Sequence, residues 1–66
     1  MGDEKMRKGI NAADILNVML RLPKNHPTRF LLINLMNTAI LKRALPPQKE
    51  DLFHRACIQL QKEGLL

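Results

Sequence analysis

The chain has 66 residues, enough for one domain of the size that buries only about 60% of its unfolded surface. Its single cysteine, Cys57, excludes an intrachain disulfide and a cysteine-built zinc site, and a lone thiol fits a reducing, intracellular setting, cytoplasmic or nuclear. The formal net charge is +5, and no Asp or Glu lies between Ile15 and Lys49, a span that holds Arg21, Lys24, Arg29, Lys42, Arg43 and Lys49.

Residues 1–9 are charged and have almost nothing to bury, which predicts a flexible tail without the apolar core of a signal peptide. Asn11 is a good N-cap, with Asp14 three positions on to meet the free N–H groups and favour the helix dipole. The first helix then runs to about Leu22, where Pro23 cannot continue the hydrogen-bond ladder. Its inward face is predicted to be Ile15, Leu16, Met19, Leu20 and Leu22. Asn25 or His26 caps the second helix, and Pro27 sits in its first turn, where a missing N–H costs nothing. That helix, Pro27 to Leu45, is the longest apolar run and ends at Leu45 or Pro46, because proline disfavours helical geometry in the residue before it. Pro47 opens the third helix, with Glu50 and Asp51 in its first turn and Gly64 placed to follow its end. Its inward stripe is Leu52, Phe53, Ala56, Cys57 and Leu60, and Leu65 and Leu66 are placed to fold back on the bundle. The fold class is therefore all-α: residues 10–66 form one compact three-helix bundle with a long central helix and two proline-containing turns. No apolar run approaches the ~20 residues that would span a bilayer.

The central helix has two unlike sides when turned at 100° per residue. Leu32, Ile33, Leu35, Met36, Ala39, Ile40 and Ala44 fall on one broad arc, wide enough to pack against two neighbours. The other side carries Asn34, Asn37 and Thr38 among Phe30, Leu31, Leu41 and Leu45. An ordinary solvent face would be rich in Glu and Lys, and this one has no acid. Either the ends of the other helices cover its leucines, or it pairs with another chain, with the amides fixing register as buried polar residues do in coiled coils. The second reading makes Asn34, Asn37, Thr38 and Leu41 a self-association surface and the protein a possible homodimer.

Residues that carry chemistry are few. His26 and His54 lie in different elements, and the few carboxylates do not cluster with them, so no metal site is expected. Cys57 lies on an apolar stripe and reads as a small buried hydrophobe. The chain has no serine, no Gly-rich phosphate loop and no paired-carboxylate motif. The expectation is a protein without catalytic residues or cofactors, not an enzyme. On the third helix His54, Arg55, Ile58, Gln61 and Lys62 share the outer face. Here Ile58 is an apolar anchor beside Arg55 and Lys62, a pattern that suits an acidic or amphipathic partner segment, with His54 at its edge.

Two functions follow. The leading one is a regulatory protein–protein interaction module, self-associating and binding a protein partner. In size and helix order the chain is similar to the X domains at the end of some viral phosphoproteins, a likeness of layout carried by no motif residue. It implies a groove between two helices that takes a disordered amphipathic segment. The alternative is a small DNA-binding regulator that uses Arg21, Lys24, Arg29, Lys42, Arg43 and Lys49 against phosphates. Single strands fit less well: Trp and Tyr are absent, and only Phe30 and Phe53 remain for stacking.

Overall fold

The computed structural model describes residues 9–66, and it contains three helices and no strand among them. They are α1 (Ala12–Met19), α2 (Thr28–Lys42) and α3 (Pro47–Lys62). The predicted tail lies outside the described residues at positions 1–8.

Local chemistry accounts for each helix end. Asn11 and Asp14 form a reciprocal capping box: the Asp14 N–H donates to Asn11 Oδ1 at 3.1 Å, and the Asn11 N–H donates to Asp14 Oδ2 at 3.3 Å. At the other end of α1 the Arg21 and Leu22 N–H groups donate to the Val18 and Met19 carbonyls, 3.1 and 3.0 Å. These tighter i→i+3 bonds close the helix earlier than the Leu22 boundary read from Pro23. Pro27 already has helical dihedrals, so the residue capping α2 is His26. Its ring Nδ1 accepts the Thr28 N–H at 3.1 Å and its carbonyl accepts the Arg29 N–H at 3.0 Å.

α2 ends at Lys42, three residues before the predicted Leu45. Arg43 turns left-handed at φ 67°, and Leu45 must be extended ahead of Pro46. The Leu45 N–H leaves the helical ladder and donates to the Ile10 carbonyl at 3.0 Å, which ties the start of the folded chain to the second connection. Gly9 enters that corner at φ +80°, where a Cβ would come within 2.7 Å of Glu50 Oε2. Pro47 takes the first position of α3 as predicted. At its end Gly64 is left-handed at φ +81°, with the Leu65 N–H on the Leu60 carbonyl and the Gly64 N–H on the Gln61 carbonyl, 2.9 and 3.1 Å. This is the Schellman arrangement, and it folds Leu65 and Leu66 onto the core.

α1 and α3 both pack on α2, as expected of a central helix. The core is Ile15, Met19 and Leu22 from the first third, Leu32, Leu35, Ala39 and Leu45 from the second, and Phe53 and Leu60 from α3. The expected faces need correction. Leu16, Leu20, Ile33, Ile40 and Leu52 are exposed, not inward. Two covering helices bury only the α2 sector centred on Leu35, Ala39 and Leu32, with Leu31 and Met36 at its edges. Ile33 and Ile40 lie on the far side of that sector. Leu45, assigned to the outer side as part of a continuous helix, is buried because the left-handed Arg43 breaks the helical phase before it.

Candidate functional site

The solvent side of α2 is the unusual surface. Phe30, Ile33, Asn34, Asn37, Ile40 and Leu41 recur at steps of three and four residues, so they form one stripe along the helix. All six are exposed, Phe30 by 75%, Leu41 by 84%, Ile40 by 60% and Ile33 by 36%. None is charged. The stripe extends about 16 Å from Phe30 to Leu41 at 1.5 Å per residue. Asn34, Asn37 and Leu41, read as a self-association surface, lie on it together. Thr38 does not belong with them. It is half-buried at the edge, and its hydroxyl donates to the Asn34 carbonyl at 3.1 Å. Phe30, Ile33 and Ile40 take its place. Their three-four spacing with the amides was present in the sequence, but two apolar stripes on one helix cannot be ranked for burial until the neighbours are placed.

The outer face of α3 carries His54, Arg55, Ile58 and Lys62, all exposed, with Ile58 at 53%. Its charge is partly spent inside the helix. Arg55 Nε lies 3.2 Å from Asp51 Oδ2, and His54 Nε2 lies 4.0 Å from Glu50 Oε1. The His54 ring also meets Phe53 edge-on, with centroids 6.1 Å apart.

The six basic residues of the acid-free span do not gather. Arg21, Lys24 and Arg29 lie around the first connection, and Lys42, Arg43 and Lys49 around the second. A helix of about 22 Å stands between the two groups. Arg29 is half-buried, and its Nη1 donates to the Lys24 carbonyl at 3.2 Å. Its Nε is shielded from solvent and has no hydrogen-bond partner among the described residues.

His26 was read as a turn and capping residue, and it has a second contact that the sequence did not suggest. Its Nε2 lies 2.7 Å from Glu63 Oε1, across 37 positions of the chain. Since Nδ1 accepts the Thr28 N–H, the proton of the neutral ring is on Nε2 and is donated to Glu63. Gln59 Nε2 donates to the other Glu63 oxygen at 3.0 Å. These hydrogen bonds, that from His26 foremost, hold the Glu63 carboxyl below its ordinary pKa of 4.5. Cys57 is half-buried beside the core, and burial pushes its thiol above the ordinary value.

Among the described residues there is no enclosed pocket and no group of three or more His, Cys, Asp or Glu side chains placed to hold a metal. No helix there is long and apolar enough to cross a membrane. Comparison of the chain with protein-family models, with curated proteins and with solved structures gives no match.

Proposed function

We infer that this chain is a non-enzymatic protein–protein interaction module that self-associates through the outer stripe of α2. The observation that supports the reading is a solvent-facing helical stripe of six residues without a single charge. Single exposed apolar residues are ordinary on protein surfaces, but a contiguous row of four with two amides between them is the pattern of a contact surface. Asn34 and Asn37 keep it wettable in the free chain and supply donors and acceptors in a complex. The small size of the domain gives association a stabilising role as well. The outer face of α3 is a second, weaker surface for an acidic segment, with Ile58 at its centre and Lys62 as its cation unpaired among the described residues.

Sedimentation equilibrium on the chain and on Leu41→Lys tests the main surface. Leu41 is 84% exposed, so the substitution leaves the fold intact while placing a charge in the stripe. The expected outcome is a dimer for the parent and a monomer for the variant at equal helicity. A parent that stays monomeric at about 1 mM, the weak end of the millimolar-to-micromolar range of transient contacts, rejects the reading.

A further inference from the structure

We propose that the second copy on this stripe lies parallel and in register, so that Asn37 meets Asn37 across a two-fold axis running along α2. The inference rests on the self-association reading above and adds the geometry of the pair. The stripe fits nearly two heptad repeats. Phe30 and Asn37 occupy its first position, Ile33 and Ile40 its fourth, and Asn34 and Leu41 its fifth. Arg29 and Met36 occupy the seventh, on the flank. Residues 31, 32, 35 and 39 fill the remaining positions used here and face the chain's own core or its edge.

In a parallel pair, first positions meet first positions and fourth meet fourth. Phe30, Ile33 and Ile40 then each stack on their own counterparts. The two Asn37 amides meet in one layer, where the N–H of each is placed to donate to the carbonyl oxygen of the other. A single amide at a first position is a recognised device for fixing strand number and register. The flanks also agree. A seventh-position residue meets the fifth-position residue five places on in the other copy. Arg29, whose Nη1 stays on the Lys24 carbonyl, therefore flanks Asn34, and Met36 flanks Leu41. No two like charges face each other across the contact.

The antiparallel alternative pairs first positions with fourth. It presses Asn37 against Ile33 twice over, and each amide then lies in an apolar layer without a partner. The area suffices for a specific contact. The four apolar side chains present on the order of 450 Å² per copy, and with the amides a two-fold contact removes roughly 1,200 Å² in total, the lower bound of a stable interface.

Cysteine cross-linking tests the geometry, in a Cys57→Ala background so that the engineered thiols are the only ones. Phe30→Cys and Ile40→Cys are made separately, and both sites are exposed in the single chain. In register, each variant forms a disulfide with itself under mild oxidation. In an antiparallel pair the two Ile40 positions stand about 15 Å apart along the axis, well beyond the ~7 Å Cα separation that a disulfide spans. Cross-linking of each variant with itself supports the proposal. A link that appears only when the two variants are mixed overturns it in favour of the antiparallel pair. A parent dimer in which neither variant links, alone or mixed, overturns it by placing the contact on another face. A parent that sediments as a monomer removes the self-association reading itself, a failure distinct from the other two.

Discussion

His26 does the work of two residues. One ring nitrogen supplies the cap of α2 and the other holds Glu63 at the end of α3, so a single side chain joins the start of one helix to the end of the next. The pH consequence falls on Glu63. Its pKa is lowered on folding, so its contribution to stability is complete above the unfolded value near 4.5 and is lost as pH falls through the lower folded-state value. Thermal unfolding of the parent and of Glu63→Gln is expected to show the parent more stable at neutral pH. The gap should close as pH falls from the unfolded value near 4.5 through the lower folded-state value, below which the carboxyl is protonated in both states. A gap that persists at the acid end would mean that the carboxylate charge is not its source. A cap at Asn25 or His26 was legible from the place before Pro27-Thr28, while the structure chose His26 and showed its reach to Glu63. No local pattern links positions 37 apart.

At the scale of the elements, the ends of the helices were well encoded and the lengths less so. The Asn11–Asp14 box, Pro47 at the first position of α3 and Gly64 after its end all act through neighbours within four residues, and all three are found where the sequence puts them. The ends of α1 and α2 both come earlier than read, and the α2 end is the more telling. It closes on Arg43 at φ 67°, a conformation that costs a side-chain-bearing residue about 1 kcal/mol. Arg43→Gly is therefore expected to stabilise the domain by about 0.5–1 kcal/mol in urea unfolding, with an unchanged slope. A loss of stability would show that the Arg43 side chain contributes more than its backbone strain costs. The sequence pointed to a later stop because Pro46-Pro47 is the visible breaker. The helix stops sooner at the left-handed Arg43, and the Leu45 N–H beyond it goes to the Ile10 carbonyl, a contact between distant parts of the chain.

For the whole molecule, the arrangement of charge bears on the two functions. The acid-free span looked like one basic surface, but α2 holds its two halves at opposite ends. Among the described acids outside the span, Asp14 sits in the cap of α1, Asp51 pairs with Arg55, and Glu63 is held by His26 from 37 positions away. Two separated groups of three cations make few phosphate contacts at once. Fluorescence anisotropy with mixed-sequence duplex DNA is expected to show binding at low salt that vanishes near 150 mM, as log affinity falls with each counterion released. Saturable binding at about 1 µM or tighter in physiological salt would instead favour the DNA-binding alternative.

Sequence alone determined the number of helices, their order, their caps and the central place of α2, since each follows from residues within a turn or two of one another. It also marked Asn34, Asn37 and Leu41 as unusual for a solvent face. Only the tertiary structure decided which of the two apolar sides of α2 is covered. That choice depends on where α1 and α3 lie, and it buried Leu32, Leu35 and Ala39 while leaving Phe30, Ile33, Ile40 and Leu41 in solvent. A helix that is apolar nearly all round carries little periodic signal to orient it, so its phase is set by long-range packing and not by the residues themselves.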